Sequence, residues 1–356
     1  MTEPRFLVVR LGSLGDIVHT FPAVAALRGS FPASEIVWLT HPRWKGLVES
    51  SALASEIRNV ESRDLSSVRA TISKIRASQW QSAIDYQGLW KSAALPFLGG
   101  VKRRIGFSSH TIREFGVPIL YNQRVKPETV HIADQNGELS RRAGARRRVG
   151  HVKLSVSGES VARAREELSR AGFSDRYVVL SPGGGWRAKC WPPERFGALC
   201  QKLRDALGLR CVVNYGPGED DLAAAVKSVS GRAEPLVWNT ELGPLMALLR
   251  SAACIVGGDT GPLHLAIALG TPAVALYGPT DPARNGPYRN PSLVTGDPIL
   301  DSGEARDTDP CAGDIVLRAA GSATSHSRND VVDPSMLAIQ VDAVFEAVRR
   351  RIGAAG

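Results

Sequence analysis

Short apolar runs alternate with helical patterns in two sets along the chain, and this alternation constrains the fold more than any other feature. The first set of predicted strands covers residues 5–10, 35–40, 56–60 and 82–85, and the second covers 177–181, 210–215, 254–256 and 273–277. Strands that alternate with helices are typical of a parallel sheet with helices on both faces. The sequence therefore predicts an α/β protein with two doubly wound domains that face a cleft, separated by an irregular, basic stretch over 100–155.

The intervals between the strands predict helices over residues 17–31, 42–50, 65–78, 158–171, 193–207 and 242–251, with others that begin near 219 and 261. Residues 333–352 have the pattern of an amphipathic helix with basic residues at its C-terminal end, where they favour the helix dipole. Residues 296–330 are polar and rich in small side chains, so we predict a long loop there.

Composition is that of a globular protein, with 43% hydrophobic and 22% charged residues. No apolar run approaches the ~18–20 residues of a membrane span, and the N-terminus lacks the apolar core of a signal peptide. The five cysteines are an odd number without metal-ligand spacing, which suits a reducing compartment. We therefore expect a cytoplasmic protein.

Positive charge is concentrated in the first half of the chain. Residues 1–155 hold 23 Lys and Arg against 12 Asp and Glu, a net of +11, whereas residues 156–356 hold 21 against 23, a net of −2. This asymmetry indicates an acidic partner, such as nucleic acid, an anionic lipid surface or a negatively charged substrate.

The segment Asp259-Thr260-Gly261-Pro262 lies between a predicted strand and a predicted helix. Asp and Thr are good N-cap residues, and Pro is tolerated in the first helical turn. The backbone amides of Thr260, Gly261 and Leu263 would then converge on a point beyond the helix, where the helix dipole favours an anion. From this stretch alone, simple capping and anion binding are equally good interpretations.

The first strand is followed by a turn with Gly12 and Gly15, a GxxG spacing rather than the GxGxxG of a dinucleotide fold. The second predicted strand ends in Thr40 and His41, where a ribose-binding acid would be expected, so the pattern argues against NAD. Asp16 lies at the mouth of the predicted sheet. From this turn alone, a helix cap is a better interpretation of Asp16 than a catalytic base.

Two further turns in the second half are rich in glycine. Residues 181–192 hold three consecutive glycines and Lys189, and residues 214–221 combine glycine with acidic residues. Glycines let a backbone approach a ligand closely, and Lys189 adds a point charge. With the turn at 259–262, three strand ends in one domain present such turns, which indicates binding of a nucleotide diphosphate at the carboxyl edge of the sheet.

Five segments together resemble one known family, and they occur in the family's order over nearly the whole chain. They are RLGSLGDIVHTFPAV (10–24), YQGLWKSAAL (86–95), REFGVPILYN (113–122), the loop GGG-x-x-x-K-x-WP (183–192) and DTGPLHLAIALGTPAVALYGPTDP (259–282). The chain is similar to the bacterial heptosyltransferases, which transfer heptose from ADP-heptose onto the lipopolysaccharide inner core. The pattern is most similar to the heptosyltransferase I type, whose acceptor is Kdo on lipid A.

The resemblance implies the GT-B architecture, in which one Rossmann-like domain binds the acceptor and a second binds the donor. It places the acceptor-binding domain at 1–160 and the nucleotide-sugar domain at 161–332. The helix over 333–352 is then expected to cross back to the first domain. The reaction implied is an inverting transfer without a metal ion or other cofactor.

The resemblance also implies roles for individual residues. Asp16 matches the family's proposed base, and Lys189 matches the lysine that meets the donor phosphates. Further donor-binding matches are Gly184, Gly185, Glu219, Asp259, Thr260, Gly261 and His264, with Asp220 as the alternative to Glu219 at the ribose. Acceptor-binding matches are Gln87, Lys91, Arg113 and His131.

The family's acceptor would explain the excess of basic residues in the first half of the chain. Kdo carboxylates, lipid A phosphates and the inner face of the inner membrane are all anionic. Two features depart from the family. Gly184 and Gly185 stand where relatives carry hydroxyl residues, and 296–330 replaces a shorter segment. The sugar, the acceptor, the role of that segment and the oligomeric state therefore stay open.

Three alternatives compete with this interpretation. A related transferase could use another nucleotide sugar or acceptor, and a non-catalytic protein could bind a sugar or nucleotide without a base. A nucleic-acid binder is favoured only by charge, and we find no reading motif. The triplet Asp307-Thr308-Asp309 has the spacing of a metal-binding carboxylate pair, but nothing around it supports a metal site.

Overall fold

The computed structural model describes residues 3–109, 112, 114–146, 152–173, 176–288, 314–325 and 331–353. They form two compact units, with the boundary between Ser155 and Val156. The predicted boundary at 160 lies a few residues further along the chain. Within the described residues, every helix is too short or too polar to cross a lipid bilayer.

The first unit is a six-stranded parallel sheet in the order β3-β2-β1-β4-β5-β6. Its strands are β1 (Arg5–Val9), β2 (Glu35–Thr40), β3 (Glu56–Asn59), β4 (Ser82–Asp85), β5 (Arg104–Phe107) and β6 (Gln123–Val125). Its α-helices are α1 (Leu14–Val18), α2 (Phe21–Ser30), α3 (Lys45–Ser50), α4 (Leu65–Arg76), α5 (Trp90–Leu98) and α6 (Ile132–Ala143), with 3-10 helices at Pro42–Trp44 and Val117–Leu120. The central strand β1 is paired on both sides, and its apolar residues are fully buried, as is typical of a parallel sheet whose two faces are covered by helices.

One predicted helix is interrupted in the structure. The pattern over 17–31 predicts a single helix, but the chain forms α1 and then α2, which Thr20 precedes and Pro22 opens. Proline lacks the amide that a helix interior needs and fits only the first turn, so the second helix starts at this point.

The stretch 100–155 is more regular than the sequence indicated. It holds β5, β6 and α6, which the sequence analysis did not predict. The two strands are only four and three residues long. The buried face of α6 is largely polar: Asn136 donates to the carbonyl oxygen of His19 at 3.1 Å, and Ser140 donates to that of Ala23 at 2.7 Å. The apolar residues that α6 buries are mostly alanine, at 133 and 143 beside Leu139, so its apolar stripe is weak in the sequence.

The second unit is also a six-stranded parallel sheet, in the order β12-β11-β10-β7-β8-β9. Its strands are β7 (Tyr177–Ser181), β8 (Arg210–Asn214), β9 (Leu236–Trp238), β10 (Cys254–Gly258), β11 (Ala273–Tyr277) and β12 (Ile315–Arg318). Its α-helices are α7 (Gly158–Arg170), α8 (Pro193–Leu207), α9 (Asp220–Val229), α10 (Leu242–Ser251), α11 (Gly261–Ala268), α12 (Pro282–Asn285), α13 (Pro334–Ala338) and α14 (Val341–Gly353), with 3-10 helices at Arg187–Lys189 and Gly231–Ala233.

One expectation for the second unit needs correction. Part of the predicted loop over 296–330 is the edge strand β12, which pairs in parallel with β11. The buried face of α14, including Val344 and Val348, belongs to the core of the second unit against α8 and β11, and a crossing of this helix to the first domain stays a prediction. The apolar residues of α14 are therefore buried within the second unit.

Candidate functional site

The predicted site residues follow the carboxyl ends of strands, as expected for parallel sheets. In the first unit they follow β1, β4 and β6, and in the second unit they follow β7, β8 and β10.

Three buried side chains form the centre of the group in the second unit. Lys189 Nζ lies 3.9 Å from Asp259 Oδ2 and also donates to the backbone carbonyl of Asp259. On the other side, His264 Nε2 lies 2.9 Å from Asp259 Oδ1. The side chains of Lys189 and Asp259 are each only 11% exposed, and that of His264 is 5% exposed, so these polar groups are held in a largely desolvated place.

The ionised form of Asp259 is stabilised by its neighbours. Burial alone would raise the pKa of this carboxyl group. The hydrogen bond with His264, the charge of Lys189 and a contact with Asn285 outweigh burial and lower the pKa to about 2. Asp259 is therefore a fixed negative charge that orients both the lysine and the histidine.

The start of α11 is capped by its own chain. Thr260 is the N-cap residue, and its hydroxyl oxygen accepts from the backbone amide of Leu263 at 3.4 Å. Of the three amides predicted to converge on an anion, Leu263 is thus engaged inside the protein. The amides of Thr260 and Gly261 remain the candidates for an external anion at this helix start.

The glycine loop after β7 is shaped by close contacts. A Cβ atom at Gly183 would lie 2.1 Å from the carboxylate of Glu219, and one at Gly184 would lie 2.7 Å from the sulfur of Cys190. Gly185 has φ of +76°, in the left-handed region that favours glycine. Gly185 therefore favours glycine because of its backbone conformation, and a side chain at Gly183 or Gly184 would displace the Glu219 carboxylate or the Cys190 sulfur.

Glu219 lies at the junction of two turns. Its Oε2 accepts from the amide of Gly216 at 2.8 Å, and its carboxylate faces Gly183. The next residues belong to α9, where Asp221 pairs with Arg187. Of the two acids weighed for a ribose contact, Glu219 is the one that lies against the glycine loop.

Lys189 also packs on an aromatic ring. Its Nζ lies 4.3 Å from the centroid of the Trp186 ring, a cation–π contact. The loop 183–189 thus supplies the cation, its aromatic support and the glycines beside it.

In the first unit, Asp16 is the third residue of α1. Its Oδ2 accepts from the amide and hydroxyl of Ser13 at 3.1 and 2.9 Å, so the cap itself is Ser13 and Asp16 closes the capping box. Its Oδ1 lies 2.6 Å from Arg10 Nη2. The Asp16 side chain is 45% exposed, whereas that of Arg10 is 7% exposed. The buried guanidinium of Arg10 therefore holds the carboxylate of Asp16, which solvent and ligands can reach.

The turn after β4 braces this arrangement. Arg10 donates to the carbonyl of Tyr86, and Gln87 Oε1 accepts from the amide of Leu11 at 2.7 Å. Asp85 fixes the turn, since it accepts from the amide of Gln87 at 2.8 Å.

Asp85 is itself fully surrounded by donors. It also accepts from the amide of Gly88 at 3.2 Å and from the hydroxyls of Ser92 and Tyr121 at 2.8 and 2.7 Å. Burial raises the pKa of Asp85, and these donors oppose that shift. The loop that carries Gln87 is therefore positioned by a buried acid.

The structure describes two of the three other predicted acceptor-binding residues. Lys91 is exposed in the first turn of α5. His131 caps α6, where its Nδ1 accepts from the amide of Ala133 at 3.2 Å, and its ring packs edge-on against His19 just after α1. Arg113 lies outside the described residues, as do Asp307, Thr308 and Asp309.

Sequence reasoning missed Arg10, Asp85 and Asn285 as parts of these groups. Asp85 ends a buried strand, and Arg10 directly follows one. A charged residue at the carboxyl end of a buried strand indicates a candidate site residue, so both could have been found from the sequence. Asn285 lies far along the chain from Asp259, and no local pattern indicates their contact.

Comparison with known proteins shows a family for the chain. The model of glycosyltransferase family 9 (heptosyltransferase) matches residues 68–309, more than half of the chain. Lipopolysaccharide heptosyltransferase 1 of Escherichia coli K12 is 28% identical over 305 residues, which are 82% of this chain and 92% of the relative. Lipopolysaccharide heptosyltransferase 3 of Escherichia coli is 27% identical over 278 residues, which are 75% of this chain and 81% of the relative.

Solved structures share the fold. The glycosyltransferase family 9 protein of Veillonella parvula has a TM-score of 0.80 and 22% identity, and the match covers 99% of this chain and 98% of that one. The Escherichia coli heptosyltransferase WaaC with ADP has a TM-score of 0.69 and 23% identity, and the match covers 99% of both chains. The two Rossmann-like units are those of the GT-B architecture, as the sequence predicts.

The lowered pKa of Asp259 predicts a pH-dependent contribution to stability. Because the pKa falls from 3.8 to about 2 on folding, the ionised group stabilises the native state by about 2 kcal/mol above pH 4, and roughly half of this remains at pH 3. We expect the stability difference between wild type and Asp259→Asn to shrink accordingly as pH falls. Denaturant unfolding of both proteins at pH 7, 5 and 3 measures this difference in the free energy of unfolding.

The exposed carboxylate of Glu49 provides the control. Glu49→Gln should give a small difference from wild type at every pH. A difference for Asp259→Asn that stays constant between pH 7 and pH 3 would contradict the electrostatic account of this group.

Proposed function

Because the chain belongs to glycosyltransferase family 9 (heptosyltransferase), we propose that it transfers a heptose from ADP-heptose, with inversion, onto the inner core of lipopolysaccharide. It is a glycosyl-transferring enzyme, and relatives such as the heptosyltransferase 1 proteins carry this activity in their names. The proposed acceptor is Kdo on lipid A, on the inner face of the inner membrane.

The observation that carries the donor assignment is the buried group of Lys189, Asp259 and His264 beside the start of α11. A diphosphate needs positive charge and amide donors, and Lys189 with the amides of Thr260 and Gly261 offers both. The contact of Glu219 with Gly183 supports Glu219, rather than Asp220, as the group that accepts hydrogen bonds from the ribose hydroxyls. The glycine loop would approach the donor through its backbone.

Asp16 is the proposed base. In an inverting transfer, an acceptor hydroxyl attacks the anomeric carbon, the bond from that carbon to the phosphate oxygen breaks, and ADP departs with an added negative charge. Asp16 would take the hydroxyl proton as the new bond forms, while Arg10 holds the carboxylate in place. Lys189 would offset the charge on the departing ADP.

Acceptor recognition is proposed for Gln87, Lys91, Arg113 and His131. Lys91 and Arg113 supply charges that match Kdo carboxylates or lipid A phosphates. The net charge of +11 over residues 1–155 favours the same anionic acceptor and an anionic membrane around it. A cytoplasmic enzyme that associates with the inner membrane at its periphery fits this acceptor.

A non-catalytic nucleotide-binding protein is the rival from another class. Such a protein needs no catalytic base. The carboxylate of Asp16 is held by a buried arginine and remains open to a ligand, which favours the enzyme. The nucleotide of the donor and the base are therefore tested by separate experiments.

The nucleotide is tested by thermal shift with ADP, UDP, GDP and CMP. Binding to the native state raises the melting temperature, and we expect ADP to raise it most. Lys189→Met should reduce the ADP shift strongly, because the phosphates lose their cation. Lys202→Met, which removes an exposed lysine paired with Asp342, is the matched control and should keep the shift. An equal or larger shift with UDP would contradict the ADP-sugar proposal while leaving the fold unaffected.

The base is tested by Asp16→Asn. The amide keeps a side chain that can accept from Ser13 but cannot take a proton, so turnover should fall by roughly 10²–10⁴ with little change in ADP affinity. Asp64→Asn is the control, because Asp64 caps α4 in the same unit. Near-normal turnover in Asp16→Asn would leave Asp16 with a structural role only.

The proposal includes no metal ion, since Lys189 and the helix-start amides can offset the charge on ADP. We expect transfer to the acceptor to continue in excess EDTA, measured as release of ADP. The double variant Asp307→Ala with Asp309→Ala should keep its rate within a few-fold of wild type. Activity that is lost on chelation and restored by magnesium or manganese would overturn the metal-free mechanism.

A further inference from the structure

Exposed apolar side chains are concentrated in one part of the first unit. Among the described residues, eleven large hydrophobic side chains are exposed, and five of them lie within residues 90–119. They are Trp90, Phe97, Leu98, Phe115 and Ile119, with exposed fractions of 46%, 44%, 49%, 100% and 70%. Exposed apolar side chains scattered singly need no explanation, but a cluster indicates a binding surface.

The five residues belong to α5 and to the segment 115–119 that contacts it, and we call their exposed side chains the α5 surface. Trp90 and Phe97 are seven residues apart in α5, so they lie on one face of the helix. The indole of Trp90 donates to the carbonyl of Phe115 at 3.2 Å. The 3-10 helix Val117–Leu120 packs on α5 through buried residues and leaves Ile119 exposed.

Basic residues border the α5 surface. Arg76 and Arg104 donate to the carbonyls of Leu98 and Leu120 at 2.9 and 2.7 Å, and Arg104 stacks on Phe97 at 5.2 Å. Arg124 donates to the carbonyl of Pro118 at 2.9 Å, and Lys91 follows Trp90 directly in the sequence. The acid in contact with this surface is Glu114, which accepts from the amide of Trp90.

This composition matches one kind of partner. Tryptophan and phenylalanine favour the boundary between the headgroups and the acyl chains of a bilayer, and surrounding arginine and lysine are attracted to anionic headgroups. The basic border and the net charge of +11 over residues 1–155 complement the negative charge of an anionic bilayer. We propose that the α5 surface docks the protein onto an anionic phospholipid bilayer.

The inference adds a defined surface to the proposed function and rests on it only for the reason why a membrane is near. Docking needs neither a donor nor transfer, so it is measured without either. The probe is sedimentation with vesicles of phosphatidylethanolamine and phosphatidylglycerol, compared with vesicles of phosphatidylcholine alone.

The test variant is Phe115→Ser with Ile119→Ser. The control is Leu65→Ser with Val331→Ser, which removes two apolar side chains of similar exposure, 71% and 75%, at other places. We expect wild type and control to bind the anionic vesicles, and the test variant to bind roughly tenfold or more weakly, because insertion of two large apolar side chains is lost. Binding should also weaken as salt is raised from low to high concentration.

Melting curves of both double variants verify that they are folded, since exposed substitutions usually change stability little. Equal binding by test variant and control would overturn the assignment of this surface. Equal binding of wild type to neutral vesicles would overturn the anionic partner. A wild-type dimer that dissociates in the test variant, without vesicle binding in either, would show that a second copy of the chain covers the surface and would overturn the proposal. Failure of the ADP experiment would leave all of these results unaffected.

Discussion

A charge that is largely removed from water must be paired, and the arrangement of the second unit depends on this constraint. Asp259 ends the turn after β10 and is paired on two sides, by Lys189 from the turn after β7 and by His264 from α11. If one partner were lost, the others would be left buried without compensation, which is costly. The turns after β7 and β10 are therefore tied together by electrostatics as well as by the sheet that carries them.

The first unit solves a similar problem with the opposite sign. Arg10 is the buried member, and it is satisfied by the carboxylate of Asp16 and by the carbonyl of Tyr86. Asp85 in turn fixes the turn to which Tyr86 leads. In both units a buried ion orients a group at the carboxyl edge of a parallel sheet: Arg10 holds Asp16 in the first unit, and Asp259 holds Lys189 in the second.

The sequence predicts well those elements that bury apolar side chains in a regular pattern. Strands such as Tyr177–Ser181 and Ala273–Tyr277 and the helix Pro193–Leu207 have the predicted bounds. It predicts poorly where burial depends on polar contacts or edge pairing: α6 is held through Asn136 and Ser140, and β12 is a four-residue edge strand. The carboxyl-edge turns could be located in advance because parallel strands place them together. Lys189 and the turn at Asp259 follow from the residues themselves, whereas His264 follows only from the family resemblance, and the contact with Asn285 depends on tertiary structure that no local pattern encodes.

The cap at the start of α11 has a consequence for the thermodynamics of binding. Because the hydroxyl of Thr260 already accepts from the amide of Leu263, this helix end is ordered by the chain's own groups. Glu219 likewise holds the turn at Gly216 through its side chain. The conformational entropy of these two turns is thus lost when the protein folds and not when a ligand arrives. An anion that enters here meets a preorganised set of donors, and its affinity need not be reduced by the ordering of those backbone segments.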